Sequence, residues 1–151
     1  MEINLWQDCL SCKDKCCKWS VACPLFVTFQ EMSKIGEVNT IKDFNKKYPC
    51  VFFDKNELCA IHNIRPVDCR FFPFDVMNIR RKFFWIIWEV NCSILKQKNF
   101  EPYLQEFETE LIPQFRENLE DYSKFRLEEF IRKYKFQVIR EIKFLPTIPH
   151  P

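Results

Sequence analysis

Four cysteines stand within nine residues in the segment Cys9-Leu10-Ser11-Cys12-Lys13-Asp14-Lys15-Cys16-Cys17. The Cys9-x2-Cys12 spacing is that of a metal knuckle, which zinc ribbons and iron–sulfur proteins share. Four thiolates this close would repel one another and oxidise readily unless a cation neutralised them. Adjacent side chains of an extended segment point to opposite sides, so Cys16 and Cys17 serve two neighbouring centres, or one is a ligand and the other a free thiol. The segment predicts a fold organised around thiolate-bound metal.

The nine cysteines of the 151-residue chain all lie between Cys9 and Cys92. In a reducing compartment they are better explained as metal ligands or reactive thiols than as disulfides, and an odd number fits a fully paired framework poorly. We therefore expect a Cys-rich region at 1–95, a helical region at 96–145 packed on it, and a Pro-rich tail at 146–151, all within a single domain.

Composition excludes several classes of protein. The chain is 47% hydrophobic and 29% charged, which is a globular balance, and its single glycine, Gly36, leaves no residues for a glycine-rich phosphate loop. The net charge of +2 without a long basic run does not favour nucleic-acid binding. The apolar run from Phe83 to Trp88 is too short for a membrane span, and no secretory signal pattern is visible. A cytoplasmic location is expected.

Two β-hairpins are predicted in the Cys-rich region. Residues 50–61 form the first around a polar turn, and Phe74–Ile79 with Phe83–Val90 form the second, joined at Arg80-Arg81-Lys82. Before them, Thr28-x-x-Glu31 has the form of a capping box and predicts a short helix ending near Gly36. A further short helix is expected at 40–47.

The last third of the chain is predicted to be mainly helical. Glu101-Pro102 begins a helix whose apolar residues recur at helical spacing until Pro113. A second apolar pattern predicts a long amphipathic helix, although its end, from Phe136 to Phe144, also fits strand-like alternation. Its members are Leu127, Phe130, Ile131, Tyr134, Val138 and Ile142. The predicted fold class is α+β: a small Cys-rich metal-binding domain with two short β-hairpins and a C-terminal helical region.

Two arginines lie on either side of Cys69 in the segment Arg65-Pro66-Val67-Asp68-Cys69-Arg70. We interpret Arg65 and Arg70 as cofactor-binding residues, which hydrogen-bond thiolate sulfur or nearby carbonyls and offset the negative charge of the centre. Ordinary surface ion pairs with acidic residues are the alternative.

The chain resembles the YkgJ-type cysteine-cluster family of zinc- or iron-chelating domains, which is similar to the Cys-rich part of flagellin lysine methylases. The resemblance lies in Cys9-x2-Cys12-x3-Cys16-Cys17, Cys50, Cys59-Ala60-Ile61-His62, Arg65-Pro66-x2-Cys69-Arg70-x2-Pro73 and Cys92. It implies eight metal ligands, enough for two four-ligand sites: Cys9, Cys12, Cys16, Cys17, Cys50, Cys59, Cys69 and Cys92. Since the family usually has Tyr where this chain has His62, His62 is expected to be a turn or packing residue. Cys23 lies outside the pattern.

The leading functional hypothesis is an iron–sulfur protein, with a 4Fe–4S cluster as the favoured cofactor, that transfers electrons or serves as a subunit of a larger redox complex. Structural zinc in a protein-interaction module is the main alternative, because cysteine-only ligation suits both metals. Protein-lysine methylation follows from the resemblance alone. No catalytic residue is predicted, since two histidines do not suffice for a Ser/His/Asp constellation, and whether the chain is an enzyme stays open.

Overall fold

The computed structural model describes residues 27–35, 55–56, 59, 61–124 and 131–145. Backbone contacts divide the chain into two compact units. Trp6–Phe72 forms the first, here called the N-terminal unit, and Met1–Leu5 with Pro73–Pro151 forms the second, here called the sheet unit. Among the described helices, none has the length and apolar character that a bilayer crossing requires.

The described part of the N-terminal unit contains three short helical elements. They are α1 (Phe29–Ile35), a 3-10 turn (His62–Ile64) and α2 (Val67–Phe71). The capping box predicted for α1 is confirmed, because the Thr28 N–H donates to Glu31 Oε1 at 3.0 Å and the Glu31 N–H donates to Thr28 Oγ1 at 3.2 Å. The helix expected at 40–47 lies outside the described residues, as does most of the hairpin expected at 50–61.

The described part of the sheet unit contains a three-stranded antiparallel sheet and a series of helical turns. In chain order the elements are β1 (Phe74–Ile79), β2 (Lys82–Trp88), a 3-10 turn (Ser93–Lys96), α3 (Glu101–Glu106), a π-helical turn (Phe107–Leu111), α4 (Ile112–Phe115), a 3-10 turn (Arg116–Asn118), α5 (Leu119–Lys124) and β3 (Phe136–Glu141). The strand order is β1-β2-β3. The predicted second hairpin and the α+β class are both confirmed.

The longest apolar run of the sequence is a core strand. Trp85, Ile86, Ile87 and Trp88 of β2 are all buried, since the strand is central in the sheet and helical residues pack on it. Phe107 brings its ring to 5.6 Å from that of Trp85. The indole N–H of Trp88, which would otherwise be buried without a partner, donates to Asp75 Oδ2 of β1 at 2.9 Å. This side-chain bond links β1 to β2 in addition to their backbone pairing.

The helical segment from α3 to α4 keeps one buried face although its buried residues recur every four positions. Four residues of an α-helix turn through about 400°, so such a stripe would drift by about 40° at each step. The π-helical turn accommodates an extra residue and returns the stripe to the sheet. The buried residues are Tyr103, Phe107, Leu111 and Phe115 on one row and Leu104, Glu108 and Ile112 on the next. Pro113 does not end the helix as predicted, because it lies in the first turn of α4, where a missing N–H is tolerated.

β3 replaces the end of the predicted long amphipathic helix. Residues 131–133 are helical, but the chain is extended from Phe136 and pairs with β2, placing Val138 opposite Ile86. Ile131 and Val138, which the helical pattern assigned to an apolar face, are 49% and 48% exposed. The strand-like alternation predicted as the alternative for this segment was correct. Pairing with β3 satisfies the backbone N–H and C=O groups along the side of β2 that would otherwise be an open edge.

Arg140 of β3 uses all five of its N–H donors, and four of these hydrogen bonds join the sheet to the helices. Nε and Nη2 donate to Glu101 and Nη1 and Nη2 donate to Glu108, each at 2.8 Å, and Nη1 also donates to the Glu141 carbonyl. Glu108 Oε2 additionally accepts from the Trp85 indole at 3.1 Å and from the Lys143 N–H at 2.6 Å. We call Arg140, Glu101 and Glu108 the Arg140 clasp.

The electrostatics of the Arg140 clasp favour its charged form. Burial acts to raise the pKa of Glu108, but the hydrogen bonds from Arg140, Lys143 and Trp85 outweigh it, and the pKa lies below its ordinary value. Hydrogen bonding to Arg140 is also the main cause of the lowered pKa of Glu101. The same bonds raise the pKa of Arg140.

The turn between β1 and β2 carries backbone strain that mutation should relieve. Arg80 and Arg81 have φ of 51° and 67°, the left-handed conformations of a two-residue hairpin turn that Asn and Gly adopt at least cost. The double variant Arg80→Asn with Arg81→Gly should therefore raise the free energy of unfolding by roughly 1–2 kcal/mol, measured by urea unfolding. The matched control is Arg80→Lys with Arg81→Lys, which keeps a residue of the same conformational preference at both positions and should be neutral. Equal stability of the two double variants would contradict the strain.

Candidate metal centre

The candidate site begins with the helix that carries Cys69. Arg65 is extended (φ −56°, ψ 147°) because it precedes a proline, which ends the 3-10 turn at Ile64. Pro66 is extended as well (φ −52°, ψ 148°), and a new helix starts at Val67. Val67, Asp68 and Phe71 are buried and anchor α2 from one face. Cys69 is half-buried on the remaining part of the helix.

Charged groups of both signs converge on this helix. Arg65 is buried, and half-buried Arg70 donates through Nη2 to the Asn63 carbonyl at 3.2 Å. Burial lowers the pKa of Arg70 and the positive charge of Arg65 lowers it further, whereas Glu31 and Cys69 act in the opposite direction. These influences on Arg70 place its guanidinium in one neighbourhood with Arg65, Glu31 and Cys69. A nearby cation favours the thiolate form of cysteine, which is the metal-binding form.

Glu31 also belongs to this neighbourhood, although the sequence pattern predicts only its role in capping α1. Its Oε2 accepts a hydrogen bond from the Val67 N–H at 2.6 Å, across 36 positions of sequence. Glu31 therefore connects the first turn of α1 with the first residue of α2. The capping-box motif predicts the local bond, but nothing in the spacing indicates that the second carboxylate oxygen reaches a distant helix.

The structure describes three of the eight predicted cysteine ligands. Cys59 forms an isolated β-bridge, Cys69 lies in α2, and Cys92 is extended and directly precedes the turn Ser93–Lys96. Each is a half-buried cysteine outside any disulfide. Half-buried cysteines suit metal ligation better than the fully buried, inert cysteines that serve only as packing.

The remaining predicted ligands are Cys9, Cys12, Cys16, Cys17 and Cys50, and all of them lie outside the described residues, as does Cys23. Within the described ranges, no group of three or more His, Cys, Asp or Glu side chains is placed to hold a metal ion. The full ligand set therefore stays a prediction. His62 lies in the 3-10 turn His62–Ile64, and its side chain is outside the described part.

A protein-family model matches more than half of the chain. The family model named CxxCxxCC, with the description "Putative zinc- or iron-chelating domain", matches residues 8–103. That range contains all nine cysteines together with Arg65 and Arg70. No curated protein and no solved structure matches the chain.

Proposed function

Because the chain belongs to the CxxCxxCC family of zinc- or iron-chelating domains, we propose that its metal is held by thiolates as an iron–sulfur cluster, most simply 4Fe–4S. In this proposal the protein transfers electrons or serves as a subunit of a larger redox complex, in contact with a protein partner. We assign it to the cytoplasm, where thiols such as those of Cys59, Cys69 and Cys92 stay reduced.

The observation that carries the proposal is the half-buried Cys69 with Arg65 and Arg70 on either side of it in sequence and in its electrostatic neighbourhood. Thiolate ligands bring negative charge into a partly desolvated site, and guanidinium groups offset it. Cys9, Cys12, Cys16, Cys17, Cys50, Cys59, Cys69 and Cys92 would hold the metal. When bound, an iron–sulfur cluster supplies a redox couple whose potential depends on hydrogen bonds, net charge and exposure at its sulfurs.

Structural zinc is the second candidate, because the same cysteine-only donor set suits zinc and the family description names both metals. Zinc in four-thiolate sites stabilises a fold and carries no redox chemistry. Lysine methylation gains no support from any described residue and does not form part of the proposal.

Anaerobic purification of the full chain tests the proposal. We expect a brown protein with broad visible absorption, and iron and acid-labile sulfide in comparable amounts per chain. A colourless protein with stoichiometric zinc would contradict the iron–sulfur proposal and support structural zinc instead. A folded chain without either metal would reject metal chelation altogether.

A further inference from the structure

We propose that Glu31 is a positioning residue for the metal ligand Cys69, because its carboxylate ties the helix that carries this cysteine to α1. The inference rests on the proposed function, since it requires Cys69 to bind metal. It assigns to Glu31 a role that neither the cysteine pattern nor the family description contains.

The two carboxylate oxygens of Glu31 accept from two separate helices. Oε1 accepts from Thr28 N–H at 3.0 Å, which completes the capping box of α1, while Oε2 accepts from Val67 N–H at 2.6 Å. The first N–H groups of a helix have no partner within it, so Val67 has a donor that must be satisfied from outside. A carboxylate is the stronger kind of acceptor for such a donor, because the bond is charge-assisted.

The bond from Val67 to Glu31 affects Cys69 because this cysteine lies in the same short helix. α2 has only five residues, and helices this short do not hold their shape by their own hydrogen bonds. Cys69 lies two residues after Val67, within the same turn, so a fixed Val67 N–H fixes the direction from which the thiol leaves the helix. Partners that orient a metal ligand in this way commonly contribute 10–100-fold to metal affinity, as a rough guide.

Val67 offers a test from the donor side of the bond. Proline is tolerated at the first position of a helix, and Pro66 already has the extended conformation that a following proline requires. Val67→Pro therefore removes the N–H donor while Glu31 and its capping box stay in place. The matched control is Val67→Ala, which loses more of the buried side chain but keeps the donor.

Glu31→Gln tests the bond from the acceptor side, because its single acceptor oxygen cannot serve both helices as the carboxylate does. Thr28→Ala is the matched control for this variant. It removes the bond from the Glu31 N–H to Thr28 Oγ1 and weakens α1, yet leaves the carboxylate on Val67 intact. A loss of metal that follows α1 stability alone would thus appear in Thr28→Ala as well.

The measurement is retention of the natively loaded metal in competition with EDTA, together with the visible absorption of the metal–thiolate centre. We expect the apparent metal affinity of Val67→Pro and Glu31→Gln to fall about 10–100-fold with an altered spectrum, and the two controls to stay close to wild type. If Glu31→Gln does not fold, Val67→Pro decides.

Three results would overturn the inference. Wild-type affinity and spectrum in Val67→Pro would show that the bond does not position the ligand. Equal metal loss in Thr28→Ala would show that only the stability of α1 matters. A wild-type chain that carries no thiolate-bound metal would overturn the proposed function itself, and Glu31 would then have no ligand to position.

Discussion

Replacing Arg140 by methionine should lower the free energy of unfolding by about 3–5 kcal/mol, the range found when one partner of a buried ion pair is removed. The side chains of Arg140 and Glu108 are only 19% and 4% exposed, so the variant leaves a buried carboxylate without its cation. The Trp85 and Lys143 donors that stay on Glu108 do not replace a guanidinium that bonds both oxygens.

Urea unfolding with two matched variants isolates the cause of this loss. Lys124→Met breaks a pair with Glu120 whose side chains are 69% and 72% exposed, and should change stability by less than about 1 kcal/mol. Arg140→Met combined with Glu108→Gln removes both charges of this pair but keeps an acceptor oxygen for the Trp85 and Lys143 donors, and should recover a large part of the loss. An Arg140→Met variant as stable as Lys124→Met would contradict the importance of the Arg140 clasp.

The same clasp makes the protein sensitive to acid. Glu101 and Glu108 have folded-state pKa values below their ordinary value of 4.5. Their stabilising contribution is therefore fully present above that pH and is lost as the pH falls below it, because the unfolded chain then binds more protons than the folded one. Wild type should lose more stability than Arg140→Met between neutral pH and about pH 3, since the variant has already lost the paired state.

Cys69→Ser should remove most of the metal bound at the centre to which Cys69 belongs, because a serine hydroxyl does not replace a thiolate ligand. Cys23→Ser is the matched control, since Cys23 is the one cysteine outside the family pattern, and it should leave metal content unchanged. Metal per folded chain, after anaerobic purification, is the quantity to compare. Full metal content in Cys69→Ser, or equal depletion in both variants, would contradict the assignment of Cys69 as a specific ligand.

Features that depend on neighbouring residues were predictable from the sequence. The capping box of α1 requires only Thr28 and Glu31, and the β1–β2 hairpin requires only two apolar runs and the polar turn between them. Pro102 indicated the start of α3 for the same reason, because its fixed backbone suits a first helical turn.

Features that depend on distant partners were not predictable from the sequence. β3 is a strand because it completes the sheet beside β2, and Arg140 meets Glu101 and Glu108 only after that pairing. The π-helical turn had no specific signal, because the four-residue spacing of Phe107, Leu111 and Phe115 also fits one apolar stripe of an ordinary α-helix.

The same distinction between local and distant features applies to the candidate site. Cysteine spacing and the flanking arginines indicate the chemistry of the centre, because thiolates this dense need a cation. How the eight predicted ligands divide between centres depends on their arrangement in space, which spacing does not determine. The bond from Val67 to Glu31 joins residues 36 positions apart, so only the structure brings it to notice.

X-ray absorption at the edge of the metal found in the purified protein tests thiolate ligation most directly. Every protein ligand in this account is a cysteine, so the nearest shell of atoms around the metal should consist of sulfur alone, at about 2.3 Å if the metal is zinc. For an iron–sulfur cluster, a second shell of iron should accompany it. A nearest shell dominated by nitrogen or oxygen, at about 2.0–2.1 Å for zinc, would contradict a centre held by cysteines.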